Sequence, residues 1–167
     1  MTLKRIQIIA FLFSLTLCHG VRAADVTLTI NGKVVAKPCS VVTKDISINL
    51  GNLYTFSFIS PGASSEWKDF VLSLNNCPVG TTSVKATFNG DSDATGLYRN
   101  KGTANNIQLQ LREKNGASLN SGSIKALRVN ASTSDVSFPL QVRAISINGG
   151  ATQGTINSII YVTYTYI

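Results

Sequence analysis

The chain has 167 residues, 44% of them hydrophobic, with 15 Lys+Arg against 8 Asp+Glu. A single histidine and three cysteines leave little for a Ser–His site or a metal centre. Only 14% of the residues are charged, in no basic run, which argues against a nucleic-acid partner.

Residues 1–23 read as a secretory signal peptide. Lys4 and Arg5 form its positive start, "IQIIAFLFSLTLC" its apolar centre, and Val21 and Ala23 the small-residue cleavage positions. An uncleaved anchor is the alternative, but the apolar run is short for a membrane span. Cys18 and His19 would leave with the signal, so residues 24–167 keep Cys39 and Cys77 and no histidine. In an exported chain two cysteines most simply form one disulfide. Lys4, Arg5 and Arg22 would leave as well, so twelve basic residues face eight acidic ones, a net charge of about +4.

"ADVTLTINGKVVAKPC", residues 24–39, holds Asn31-Gly32, a strong hairpin signal. A two-residue loop there would mix Leu28, Ile30 and Val35 with Lys33 and Lys37 on one face. Read as one strand, Val26, Leu28, Ile30, Gly32, Val34 and Ala36 share a face, and Asp25, Thr27, Thr29, Asn31, Lys33 and Val35 share the other. A side-chain period of two decides for the single strand. Gly32 within it marks a place where another backbone comes close. Such a strand at a free terminus is an aggregation hazard unless something receives it.

Apolar positions then recur with period two, broken by Gly, Asn, Ser and Pro clusters. Expected strands are "TINGKVVA", "SVVT", "ISINLG", "DFVLSLNNC", "SVKATFNG", "NIQLQLRE", "ALRVN", "VSFPLQVRAISI" and "TINSIIYVTYTYI". "SSEWKD" is read as one helical turn. "NGGATQG" lacks the Gly-Lys-Ser/Thr ending of a phosphate loop. Evenly spaced strands with turn signals predict an all-β sandwich or barrel. In the last stretch Ile156, Ser158, Ile160, Val162, Tyr164 and Tyr166 alternate with Asn157, Ile159, Tyr161, Thr163, Thr165 and Ile167. An immunoglobulin-like sandwich ending at Ile167 would lack its last strand and expose a hydrophobic groove.

These features together resemble the chaperone–usher pilins. The residues that carry the resemblance are the signal peptide, the extension with Gly32, the Cys39–Cys77 pair, Gly154 fourteenth from the C-terminus and the penultimate Tyr166. "LNNCPVGTTSVKATFNGD" and "FPLQVRAISINGGATQGT" look most like a minor tip subunit of type 1 fimbriae. The resemblance implies an incomplete immunoglobulin-like fold, completed by a strand from a neighbour. It divides the chain into the signal at 1–23, a donor-strand extension at 24–37 and a pilin domain at 38–167. It implies a donor face of Val26, Leu28, Ile30, Gly32 and Val34, and chaperone recognition through Gly154, Tyr164, Tyr166 and Ile167. The implied partners are neighbouring pilus subunits including a tip adhesin, a periplasmic chaperone and an outer-membrane usher, with export through the periplasm to the surface fimbrium. No enzyme activity, cofactor, metal, nucleic acid or small-molecule substrate is expected.

Three other readings are weighed against the tip adaptor. A shaft pilin shares the fold and the assembly chemistry. An adhesin is expected to need nearly twice this length and to lack a donor strand. An outer-membrane barrel also ends in an alternating, aromatic-rich strand, but bulky residues on both faces of that strand argue against it.

Overall fold

The computed structural model describes residues 28–34, 37–114 and 116–167. Residues 1–23, expected to be a signal peptide, and Val26 and Ala36 lie outside the described residues. The chain divides into two units, Met1–Val34 and Val35–Ile167.

In the first unit, residues 28–34 form no strand. Leu28, Ile30 and Val34 are exposed. The single long strand read from the alternation is therefore not paired here. Period two sets which side chains share a face, but a strand exists only where a ladder partner supplies its hydrogen bonds.

The second unit is two β-sheets packed face to face. Its strands are β1 (Ser40–Val41), β2 (Ala63–Ser64), β3 (Lys68–Asn75), β4 (Ser83–Gly90), β5 (Tyr98–Arg99), β6 (Gln108–Glu113), β7 (Ile124–Arg128), β8 (Val136–Ser146) and β9 (Ile160–Tyr166). One sheet has the order β1-β3-β8-β6-β5, with β2 also on β8, and the other β7-β4-β9. Every pairing between these strands is antiparallel. The three-stranded sheet keeps two edges, so the strands do not close into a barrel.

Alternation decides the packing. Val84, Ala86 and Phe88 of β4 are fully buried, and Lys85 between them is exposed. Leu109 and Leu111 of β6 and Phe138, Leu140, Val142 and Ala144 of β8 complete the same core. Central strand β8 is covered on its outer face as well. There Arg112 Nε donates to Gln141 Oε1 (2.9 Å), and Gln141 Nε2 donates to Asp69 Oδ1 (2.6 Å). Arg143 donates to Gln110 and Ser64, and the Arg112 and Arg143 guanidiniums lie 3.8 and 4.4 Å from the Trp67 ring centroid. This layer satisfies its polar atoms while its apolar stems and ring shield β8. Burial, with Arg112 beside it, lowers the Arg143 pKa.

Pro139 sits inside β8 without breaking it. Its carbonyl accepts from Lys114 N (3.0 Å), just past the end of β6. The missing proline N–H points to that same side, where the β6 ladder has ended, so no β3 bond is lost.

Two local expectations are corrected. "SSEWKD" is not helical: Ser64 pairs with Ile145, Ser65 N donates to Ala144 O, and Lys68 opens β3. Among the described residues the one helical turn is a 3-10 turn at Thr55–Phe58, which buries Phe58. "ISINLG" also forms no strand.

Tyr98 fixes the far side of the core. It is fully buried, its hydroxyl donates to Leu119 O (3.0 Å), and burial pushes its pKa up to about 12. The folded chain thus holds this proton at pH values where the unfolded chain, with an ordinary value near 10, has lost it. Stability is fully present below pH 10 and falls as pH rises through about 12. Thermal unfolding followed between pH 8 and 12 should show that fall. Tyr98→Phe should reduce its slope, at a cost of about 1 kcal/mol for the lost hydrogen bond.

Candidate functional site: an open groove beside the last strand

Strand β9 is an edge strand, bonded to β4 on one side only. Its inward residues Ile160, Val162 and Tyr164 face the core, yet none is fully buried. Beside them lies a groove of ≈ 1130 Å³. Its floor is Phe70, Leu72, Phe88, Leu109, Leu111 and Val142. One wall is β9 with Ile156 and Ser158 before it, and the other is residues 43–53.

The second wall explains why "ISINLG" forms no strand. Among the described residues, Val42 N donates to Ser73 O (3.1 Å), and no backbone hydrogen bond then joins residues 43–53 to another strand. Ile48, Leu50 and Leu53 pack against the core from that wall. The groove thus has unpaired backbone on both walls and an apolar floor. A single extended strand satisfies both.

The expected disulfide is formed. Cys39 and Cys77 are bonded across a sequence separation of 38. The bond joins the start of β1 to the chain just beyond β3, so it holds the base of the 43–53 wall.

Gly154 lies at the opposite end of the groove. A Cβ there would come within 2.3 Å of Ala104 N and 2.6 Å of the Thr103 carbonyl carbon. The close approach belongs to a clasp that the sequence did not announce. Thr155 O accepts from Ala104 N and Asn100 Nδ2, Asn100 Oδ1 accepts from Asn157 N, and Thr103 and Thr155 exchange bonds through their hydroxyls. Gly102 sits equally close, against Thr155 O. Asn100 and Gly102 in a turn-rich stretch were the available signal, but their partner lies more than fifty residues on. Gly154→Ala should lower stability by roughly 1–3 kcal/mol, because backbone and not a flexible side chain stands in the way. A fall in denaturation midpoint at unchanged slope is the check.

Tyr164 and Tyr166 share the inward face, as their parity requires. The Tyr164 and Phe138 rings lie 6.1 Å apart, and burial raises the pKa of both tyrosines. The terminal oxygen of Ile167 accepts from Thr82 N (2.6 Å), Ser83 N (3.0 Å) and Thr82 Oγ1 (3.1 Å). The chain end is therefore held by the chain itself.

A Cβ at Gly32 would meet no described atom within 4 Å. Among the described residues no three His, Cys, Asp or Glu side chains group as a metal site, and no helix is long and apolar enough to cross a membrane.

A family model described as "Fimbrial protein" matches residues 26–166. The chain is 53% identical to Protein FimG of Escherichia coli (strain K12) over 98% of this chain and 97% of that protein. It is 38% identical to the S-fimbrial adhesin protein SfaS of Escherichia coli O6:K15:H31 (strain 536 / UPEC), over 90% of each. Length therefore does not separate a subunit from a protein named an adhesin, contrary to the expectation from sequence. Among solved structures the fold is similar to the P pilus rod subunit PapA, with TM-score 0.65 at 20% identity, covering 78% of this chain and 100% of that one. The edge strand, the open groove and these matches lead to one assignment: the chain belongs to the fimbrial protein family, as an incomplete immunoglobulin-like pilin.

Proposed function

We propose that this chain is a minor structural subunit of a fimbrial tip that joins an adhesin to the rest of the fibre and has no enzymatic role. The observation that carries the reading is the groove, with half-buried core residues along β9 and a facing wall that has no ladder. Segment 24–37 supplies the complementary part. Its apolar residues Val26, Leu28, Ile30 and Val34 fill the groove of a neighbouring subunit, and Gly32 is the position on that face where another backbone can come close. Seating four such side chains contributes about 6–12 kcal/mol before ordering costs, and ladder bonds add to it. A donated strand joins unlike surfaces head to tail, so the contact propagates as a filament.

The similarity to FimG along nearly the whole of both chains favours the adaptor over a shaft pilin. An adhesin role is the second reading, supported by the match to SfaS. Before assembly an open groove and a free edge need cover. A periplasmic chaperone, recognising Gly154, Tyr164, Tyr166 and Ile167, provides it, and an outer-membrane usher receives the complex. The signal at residues 1–23 directs export, and the fimbrium on the cell surface is the destination. Mass spectrometry of sheared, cross-linked fibres tests the role. The adaptor reading expects a low copy number and contacts to an adhesin on one side. A copy number equal to that of the shaft subunit contradicts it.

A further inference from the structure

An exposed apolar cluster lies at one end of the groove. Tyr54, Phe56 and Ile59 are 63%, 69% and 67% exposed, and the Tyr54 and Phe56 rings stack with centroids 5.3 Å apart. The cluster is rigidly placed. Buried Phe58 roots the 3-10 turn that carries Phe56, and Gly150 N donates to Ile59 O (3.1 Å). Gly149 packs against Ile59 O so closely that a Cβ would lie 2.3 Å away. Leu53, next to Tyr54, lines the groove near Gly154.

We propose that Tyr54, Phe56 and Ile59 are the docking surface for the folded body of the subunit whose donor strand fills this groove. The inference rests on the donor-strand reading above. The groove lining runs from Gly154 and Leu53 at one end to Tyr164 and Val41 at the other, and Ile156 to Tyr164 is the part of the β9 wall with alternating inward residues. Residues 156–164 of the wall and 26–34 of a donor span the same length, about 27 Å at the strand rise. Antiparallel pairing extends the pattern of the β7-β4-β9 sheet and gives the straighter hydrogen bonds. A donor antiparallel to β9 enters beside Ile167 and leaves beside Leu53 and Gly154. In a donor built like this chain, five Cα-to-Cα steps separate Val34 from Cys39, where the disulfide-held domain begins. They reach at most about 18 Å. The donor's body therefore rests on the end of the sandwich that carries Tyr54, Phe56 and Ile59.

The base of such a body has matching chemistry. In this chain Cys77 is bonded to Cys39, and two residues beyond it Val79 is fully exposed. An apolar loop at the base and an aromatic pair at the pole complement each other. A stacked, turn-anchored pair also loses little side-chain freedom on docking. The pole then limits bending between successive subunits, which a strand joined by a short linker alone does not.

The test places a photo-reactive phenylalanine analogue at Phe56, and separately at Asn52 on the groove rim, in subunits assembled into fibres by bacteria. The inference expects the Phe56 probe to cross-link the neighbour's base loop and the Asn52 probe to cross-link its donor segment. Donor cross-links from Asn52 with none from Phe56 overturn the inference and leave the donor-strand reading standing. Cross-links from Phe56 only to non-pilin material overturn it as well. No pilin cross-link from either probe overturns both readings.

Discussion

Ile30→Asp is expected to abolish seating of the donor segment, with affinity for the neighbouring groove falling on the order of 100-fold or more. In the proposed seating the substitution puts an unpaired carboxylate against the apolar floor, which includes Phe88, Leu109 and Leu111. Among the described groove residues only Lys44, on the 43–53 wall, carries a positive charge. Thr29→Asp carries the same charge on the opposite face and should stay within about tenfold, because its carboxylate remains in water. Strand exchange between purified subunits, followed by mass, compares the two. Equal defects would show that the faces of residues 24–37 are wrongly assigned.

The second large effect concerns Cys39 and Cys77. Replacing both with Ala should destabilise the subunit by about 4 kcal/mol on the chain-entropy estimate for a separation of 38. A sandwich short of one strand has little stability to spare. The loss should also be local. Residues 43–53 have no ladder of their own and are tied down through β1 and the disulfide. Hydrogen exchange should therefore rise first in that wall and in β1, while β4 and β8 stay protected. Uniform loss of protection across both sheets would show that the bond does not specifically hold the wall.

What could be read in advance was what depends on neighbours in sequence. The alternation of β4, β6, β8 and β9 puts Val84, Leu111, Phe138 and Val162 on the core face, because each of those strands has at least one ladder partner within the chain. Residues 29–34 of "TINGKVVA" and all of "ISINLG" have the same alternation but form no strand here, and in the proposed assembly the partner each needs comes from another subunit. The 3-10 turn at Thr55–Phe58 escaped notice because only packing of Phe58 selects it. The clasp of Asn100, Gly102, Gly154 and Thr155 was equally hidden, since its fit depends on backbone contacts between distant segments. Gly154 stands out in the sequence only through the family resemblance. The structure adds a reason of its own, the absence of room for a Cβ against Ala104.

In the proposed assembly the groove between β9 and residues 43–53 receives a strand from another molecule. A cryo-electron microscopy reconstruction of the assembled fibre tests it most directly. One added strand antiparallel to β9 is expected, with the neighbour's apolar residues alternating into the groove and this chain's Val26, Leu28, Ile30 and Val34 seated in the groove of the subunit on its other side. A fibre in which the groove is filled by the same molecule's own residues 24–37, or stays open, would contradict it.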